Sequence, residues 1–324
     1  MKNDKKMFVL VEMVLAALVV ILAFVMVHEK NGQKPDKISV IVEDADNSQW
    51  AAFKYGLKMA AKDQGIEIFV VSTGDMLTTE EEKKVIEDEI AHGADGLIVQ
   101  PVLGEDTEKM LKKINKKIPV MLVERTASQE NEQSKMPVVE PDHYAMGKAL
   151  AEELLKDYND NLEGKTLGIF SESEQYEAIK NRKKGFMDTI KNTGAEIRWS
   201  VEQSLNRDEK RILEQQETVD VIVALDNSSL TAAGKSSSMG KLHSSLLYGI
   251  GNSTETIYYL DTRVIECLIV PDEFNVGYQS LTEAAKNLKN YFYQMSDHTV
   301  SYTIIRRDTL FSKENQEILF TMSQ

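Results

Sequence analysis

The stretch "IPVMLVER", residues 118–125, joins a continuous apolar run to an adjacent acid and base. Six apolar residues without alternation predict a strand that is buried on both faces, as in a parallel sheet covered by helices. Glu124 and Arg125 follow this strand directly. Because ligands bind beyond the carboxyl ends of parallel strands, we expect the charged pair to face a binding crevice.

The same pattern extends along the chain on both sides of this stretch. Apolar runs alternate with segments of helical period, which is the β-α-β-α order of a parallel sheet. The first set of runs is "ISVIV", "IEIFVV", "ADGLIV" and "IPVMLV", and a second set begins after about residue 164 with "KTLGIF", "AEIRWSV", "VDVIVAL" and "SSLLYGI". One sheet with a single ligand crevice would not hold both sets. We therefore predict an α/β fold of two similar, doubly wound parallel-sheet lobes.

Prolines and polar turns mark the connection between the two sets. Pro137 and Pro141 bracket an extended segment, and a helix is predicted from about His143 to Asp157. Near the end of the chain, "VSYTIIR" predicts a last strand.

The N-terminus predicts a transmembrane helix before the two lobes. Residues 7–27 are 21 residues with a single charge, Glu12. At about 1.5 Å per residue such a helix crosses a hydrocarbon core of roughly 30 Å. We expect a signal anchor with a cytoplasmic stub at 1–6, a tether at 28–37 and the rest of the chain outside the cell membrane. Cleavage of this segment is the alternative.

Charge and motif content exclude several classes of function. The net charge is −14 and the pI is about 5.0, which argues against a nucleic-acid partner because such a binder needs a basic face. The five histidines show no metal-binding spacing, and no nucleophile elbow, phosphate loop or dinucleotide fingerprint is present. We therefore expect no enzymatic activity, no cofactor and no metal site.

Six phrases in one order carry a resemblance to a known family. They are "NSQWAAFKYGLKMAAKDQGIEI", "IEDEIAHGADGLIVQP", "IPVMLVER", "PDHYAMGKALAEEL", "AIKNRKKGF" and "VIVALDN". Over about residues 37–305 the chain resembles the type I periplasmic binding proteins, in particular the ribose- and galactose-binding branch. The resemblance implies a first lobe of 38–140 plus about 272–297 and a second lobe of 141–271 plus about 298–324. A three-strand hinge near Glu140, Pro271 and His298 would join them.

The resemblance also implies a set of ligand-binding residues. Carried over position by position, they are Asn47, Gln49, Trp50, Gln100, Glu124, Arg125, Lys180, Asp226, Asn227 and Asn252. A carboxylate that accepts from hydroxyls and a guanidinium that donates to them would form a clamp on a sugar. The alternatives are a surface ion pair for Glu124 and Arg125, helix packing for Trp50 and a solvated helix face for Lys180.

The pattern differs from the family at two later positions. Gly251 stands where the family has an aspartate, and Pro271 stands where it has a glutamine, which argues against ribose itself. The resemblance implies an extracytoplasmic solute-binding protein that delivers a carbohydrate-like ligand, such as a monosaccharide or polyol, to an ABC importer. A membrane-anchored sensory subunit that presents a sugar to a histidine kinase or chemoreceptor is the alternative.

Overall fold

The computed structural model describes residues 13–21, 35–74, 78–104, 106–124, 136–202, 209–290 and 292–324. Residues 13–21 form a helix, α1, which is described by itself. Within the described ranges, no helix combines the length and the apolar character that crossing a membrane requires. The rest of the predicted span, at 7–12 and 22–27, lies outside these ranges, so the span stays a prediction.

Six apolar runs form the first sheet. Its strands are β1 (Lys37–Glu43), β2 (Glu67–Thr73), β3 (Gly96–Val99), β4 (Val120–Val123), β5 (Val138–Pro141) and β11 (His298–Val300). They lie in the order β11-β5-β4-β3-β1-β2, and every neighbouring pair is parallel. The helices of this first lobe are a 3-10 turn at Ser48–Trp50, α2 (Ala51–Gln64), α3 (Thr79–Ala91), α4 (Thr107–Asn115) and α10 (Glu273–Lys289).

A second sheet repeats this arrangement. Its strands are β6 (Thr166–Ser171), β7 (Glu196–Glu202), β8 (Val221–Ala224), β9 (Leu246–Ile250), β10 (Cys267–Pro271) and β12 (Tyr302–Arg306). The order is β12-β10-β9-β8-β6-β7, with only β12 antiparallel to its neighbour. The helices of this second lobe are α5 (His143–Asp157), α6 (Glu177–Ile190), α7 (Glu209–Glu214), α8 (Asn227–Ser238), α9 (Thr254–Asp261) and α11 (Lys313–Met322). Two parallel-sheet lobes of α/β type are confirmed, and α5 has its predicted bounds.

Burial agrees with the sequence pattern in the centre of each sheet and differs at the edges. Every residue of β3, β4 and β8 is buried, as continuous apolar runs predict. The edge strands β2 and β7 are partly exposed, and β7 alternates strictly between exposed and half-buried residues. The prediction of burial on both faces is wrong for these two strands, because an edge strand has a neighbour on one side only.

Over the residues that the structure describes, the chain passes between the sheets at three places. It leaves the first sheet after β5, returns after β10 and passes again between β11 and β12. Helix α10 follows a strand of the second sheet but packs against α2 and the first sheet, whereas α5 packs against α6 and the second sheet. The stretch "VSYTIIR", predicted as one strand, is divided at Ser301 between two sheets.

Glycines allow the closest helix contacts of both lobes. A Cβ added to Gly56 of α2 would lie 2.0 Å from the Phe274 carbonyl oxygen, and one added to Gly277 of α10 would lie 2.2 Å from the Phe53 carbonyl oxygen. Gly147 of α5 and Gly185 of α6 make the same reciprocal contact in the second lobe. These contacts fix how closely α10 packs against α2 and how closely α5 packs against α6. Helices α5 and α10 are the ones that follow the first two crossings.

Candidate ligand-binding site

A cavity of about 730 Å³ lies between the two lobes, at the carboxyl ends of strands from both sheets. We call it the interlobe cavity. Its size is within the roughly 300–1,000 Å³ of typical small-molecule sites. The residues that line it from the first lobe include Glu43, Asp44, Asn47, Gln49, Trp50, Gln100 and Glu124. Those from the second lobe include Glu172, Tyr176, Arg182, Asp226, Asn227 and Asn252, and Glu273 lies where α10 begins.

The structure brings eight of the ten predicted residues to this cavity. They are Asn47, Gln49, Trp50, Gln100, Glu124, Asp226, Asn227 and Asn252. Arg125 lies outside the described residues. Lys180 is described but does not line the cavity.

Lys180 lies away from the cavity, on the solvated helix face that was its alternative. Its side chain is 59% exposed on α6, and its ammonium lies 3.8 Å from a carboxylate oxygen of Glu177. Arg182 lines the cavity instead, because residues two apart on a helix point to nearly opposite faces. The Arg182 guanidinium donates from Nε to His143 Nδ1 at 3.2 Å and from Nη1 to the Leu225 carbonyl at 3.0 Å.

Glu124 is held in a strained position at the end of β4. Its φ of 72° is in the left-handed region, which non-glycine residues rarely adopt and which recurs at functional sites. Gln100 accepts a hydrogen bond from the Glu43 backbone N–H at 3.0 Å and donates one to Glu124 Oε2 at 3.4 Å. Burial raises the pKa of Glu124, and the Arg182 guanidinium and the Gln100 amide oppose that shift. Gln100 therefore orients the carboxylate as well as lining the cavity.

The loop after β1 is organised by its own side chains. Asn47 caps the 3-10 turn by accepting a hydrogen bond from the Gln49 N–H. The Trp50 indole donates to the Glu43 carbonyl at 2.9 Å and packs edge-on against Phe53, with ring centroids 5.3 Å apart. Trp50 is 7% exposed and also lines the cavity. Trp50 therefore packs inside the first lobe and lines the cavity as well.

Asp226 supports the second-lobe wall of the cavity. Its carboxylate caps α8 by accepting from the N–H and the hydroxyl of Ser229 at 2.8 and 2.9 Å. It also accepts from the Glu172 N–H at 2.8 Å. Burial raises the pKa of Asp226 and of Glu172, and the proximity of the two carboxyl groups adds to the shift of Glu172.

Among the described residues, two hydrogen bonds join the lobes across the rim of the cavity. The Asn252 side-chain amide donates to the Gln49 carbonyl at 3.0 Å, and the Ser48 hydroxyl donates to Glu255 Oε2 at 3.1 Å. Asn227 Oδ1 accepts from the Asn252 N–H at 3.1 Å and so fixes the loop that carries this amide. We call the Asn252–Gln49 and Ser48–Glu255 contacts the rim contacts.

Sequence reasoning missed several acidic and aromatic residues of the cavity. They are Glu43, Asp44, Glu172, Tyr176, Glu202 and Glu273, together with Arg182. The polar cluster after β6 signals the region of Glu172 but does not single out that residue. Burial raises the pKa of Glu273 to about 8, and the carboxylate of Glu124 adds to this shift.

The arrangement suits recognition of a small polar molecule. Carboxylates and amides from both lobes can accept from and donate to hydroxyl groups, and the Trp50 and Tyr176 rings can cover apolar C–H faces. Over the described ranges, no three His, Cys, Asp or Glu side chains come together in a way that could hold a metal ion.

Solved structures share this fold. GanP, a glucose-galactose binding protein from Geobacillus stearothermophilus, is 20% identical with a TM-score of 0.73, over 86% of this chain and 100% of that one. A carbohydrate transporter solute binding protein from Agrobacterium radiobacter, in complex with D-arabinose, is 15% identical with a TM-score of 0.76, over 89% and 99%. A chain of the XylFII–LytSN complex is 16% identical with a TM-score of 0.71, over 85% and 99%. Likeness at these identities shows the fold alone.

Sequence comparison identifies the family directly. No curated protein matches the chain. The sequence pattern of the periplasmic binding protein domain, a non-enzymatic family, matches residues 38–291, which is most of the chain and spans every cavity-lining residue named above. The chain therefore belongs to the periplasmic binding protein domain family.

Proposed function

We propose that this chain is an extracytoplasmic solute-binding protein that closes its two lobes on a small carbohydrate-like molecule. One observation carries the proposal: the interlobe cavity is lined by hydrogen-bonding side chains from the strand ends of both lobes. A ligand there contacts both lobes only when they are close together. Ligand binding therefore shifts the equilibrium toward the closed state by its preference for that state.

The three chain crossings are the proposed hinge of this closure. They follow β5 and β10 and lie between β11 and β12, near the predicted positions Glu140, Pro271 and His298. Asp142 and Asp272 cap the helices that start at the first two crossings, accepting from the N–H groups of Ala145 and Asn275. These caps fix the residue at which each helix begins. We therefore place the closing motion in the short segments before the two helices.

The closed protein would deliver its ligand to an ABC importer, with residues 7–27 as an anchor in the cell membrane. Similarity to a carbohydrate transporter solute binding protein supports this partner. The sensory alternative, in which the chain presents its ligand to a histidine kinase or chemoreceptor, is supported by similarity to a protein that forms a complex with a second protein, LytSN. Co-purification of the full-length chain with a permease or with a kinase separates the two.

Thermal unfolding of the full-length protein with a panel of monosaccharides and polyols tests ligand binding. A ligand that binds only the folded state adds about 2.7 kcal/mol at 100 times its dissociation constant, which raises Tm by a few degrees. Arg125→Ala is expected to remove this shift without lowering the ligand-free Tm, because the clamp predicted from the sequence needs a guanidinium.

Lys180→Ala is the matched control, since the Lys180 side chain is exposed and does not line the cavity. It is expected to keep the full shift. No shift with any member of the panel would refute the proposed function, and a full shift in Arg125→Ala would refute the clamp.

A further inference from the structure

The interlobe cavity holds many more acids than bases. Seven of its lining residues carry a carboxyl group: Glu43, Asp44, Glu124, Glu172, Glu202, Asp226 and Glu273. In the part of the chain that the structure describes, Arg182 is the only lysine or arginine that lines it. Arg125, predicted to join the site, would raise the cations to two. The acidic excess therefore does not depend on where Arg125 lies.

The guanidinium of Arg182 is already engaged on its own lobe. Two of its nitrogens donate to His143 and to the Leu225 carbonyl. It lowers the pKa of Glu124 and Glu273 through its charge, but burial outweighs this effect at both groups. The protein's own cation therefore does not neutralise the carboxyl groups that surround it.

Glu124 is at the centre of the acidic groups. Its charge raises the pKa of Glu172, which projects from the second lobe, and of Glu273, which lies at the start of α10. Carboxyl groups from both lobes and from a crossing thus act on one another across the cavity. These three carboxyl groups are half-buried, and like charges that approach one another in a partly dehydrated cavity are unfavourable.

A neutral polyol does not require this cost. Amide side chains such as those of Asn47, Gln49 and Gln100 offer the same donors and acceptors to hydroxyl groups without a charge. A cation in the cavity, by contrast, would convert mutual repulsion into attraction. A metal ion does not fit, since no three acidic or histidine side chains of the described ranges are grouped to hold one. Of the cations considered, an organic cation is the one that fits the cavity.

We propose that the ligand of the interlobe cavity is an amine-bearing carbohydrate, whose ammonium lies among Glu124, Glu172 and Glu273. Its hydroxyls would bond to the amides of the first-lobe loop, and its C–H face would contact Trp50. This assignment rests on the proposed function and specifies the ligand class of the same site. The cavity itself marks the ligand site, and the carboxyl groups specify the charge of what fills it.

Calorimetric titration of the full-length protein with matched sugars tests the assignment. The pairs are D-glucosamine with D-glucose, D-galactosamine with D-galactose and D-mannosamine with D-mannose, at pH 6.5, where the amines are protonated. We expect at least one amino sugar to bind more tightly than its neutral partner by about tenfold or more, the size expected of a charge-assisted hydrogen bond. Equal or tighter binding of the neutral partner would overturn the amine assignment and leave the proposed function standing. No binding by any of the six would count against the proposed function itself.

Variants test whether these carboxyl groups are the cause of the preference. Glu273→Gln and Glu172→Gln keep the shape of the side chain and remove its ability to ionise beside an ammonium, so each is expected to lower the ratio of amino-sugar to neutral-sugar affinity several-fold. Glu196→Gln is the control, because Glu196 is exposed on β7 and does not line the cavity. An unchanged ratio in both cavity variants would overturn the placement of the ammonium.

Proton release gives a readout that is independent of affinity. Glu172 faces Asp226, Ser228, Glu124 and Arg182, and Glu273 faces Glu124, Arg182 and Asp272. An ammonium beside them lowers the pKa of both carboxyl groups, so the amino sugar is expected to release protons on binding and a neutral sugar is not. Titrations at pH 7 in two buffers of different ionisation enthalpy measure this number. Amino-sugar binding without proton release would overturn the assignment.

Discussion

Glu273 connects the chemistry of the cavity to the stability of the fold. Burial, with the charge of Glu124, raises the pKa of this carboxyl group from its ordinary 4.5 to about 8. Between these two values the folded chain binds a proton that the unfolded chain has released. The stability that this proton confers is fully present below about pH 4.5 and is lost as the pH rises through about 8.

The free energy of unfolding of the ligand-free protein is therefore expected to fall as pH rises from 5 to 8. One proton contributes a slope of up to about 1.4 kcal/mol per pH unit. Glu273→Gln cannot titrate and should make the dependence shallower, without removing it, because Glu172 also has a raised pKa. Urea unfolding at four pH values in this range measures the slope. Glu152→Gln, on the exposed face of α5, is the control, and a variant slope equal to that of the control would contradict this account.

Individual residues show how far the sequence predicts the site. Glu124 and Gln100 both follow apolar runs in the sequence, and both line the cavity, because position along a strand fixes where its end lies. The family resemblance selected Lys180 and not Arg182, because both are basic and only the rotation of α6 decides which one faces inward. The sequence could not show Glu273 as a site residue, because that requires knowing that α10 crosses to the other lobe.

At the level of elements, the reciprocal glycines control how two helices meet. In an isolated helix, Gly277→Ala would be favourable by about 1 kcal/mol. In this protein the new methyl group would lie 2.2 Å from the Phe53 carbonyl oxygen, a backbone atom that cannot move alone. Overpacking of this kind costs about 1–3 kcal/mol and outweighs the helical gain.

We therefore expect Gly277→Ala to destabilise the protein, with a net loss on the order of 1–2 kcal/mol in urea unfolding. Gly74→Ala provides the comparison, because in the described part of the chain no atom beyond its chain neighbours lies within 4 Å of a Cβ added there. It should change the free energy of unfolding by less than about 0.5 kcal/mol. Stabilisation by Gly277→Ala would mean that α2 and α10 can move apart freely.

Sequence periodicity predicts some helices and strands well and others poorly. Helix α5 was predicted with its observed bounds because Pro137 and Pro141 bracket the extended segment before it. The edge strand β2 was predicted as buried because its apolar content resembles that of central strands. Strand β7 was grouped with these runs although its polar and apolar residues alternate, which is the pattern of a half-buried strand. Apolar content does not reveal how many neighbours a strand has. The division of "VSYTIIR" between two sheets is likewise invisible to a local pattern.

At the level of the whole molecule, the rim contacts join the lobes without a ligand, together with the edge-on contact of Tyr55 in α2 with Phe320 in α11. The amide of Asn252 makes one of the two hydrogen bonds. A net contribution of about 1 kcal/mol for such a bond corresponds to roughly a fivefold change in the ratio of closed to open forms. Asn252→Ala is therefore expected to shift the ligand-free protein toward the open form.

Small-angle X-ray scattering of the ligand-free protein measures this shift as an increased radius of gyration. Asn181→Ala loses a hydrogen bond to Glu177 within α6 and not between the lobes, so its scattering curve should match that of the unaltered protein. Superimposable curves for the Asn252→Ala variant and this control would show that the rim contact does not hold the lobes together.

The crossing of α10 and β11 to the first lobe has a consequence for biosynthesis. The hydrophobic core between β1 and α2 also contains Val276, Leu281 and Ala284 of α10 and Val300 of β11. When a ribosome has made the first half of the chain, these positions are still untranslated and the first sheet presents an apolar face to water. The earliest-made lobe is thus among the last parts to be completed, and a chain truncated before about residue 300 would leave it unfinished.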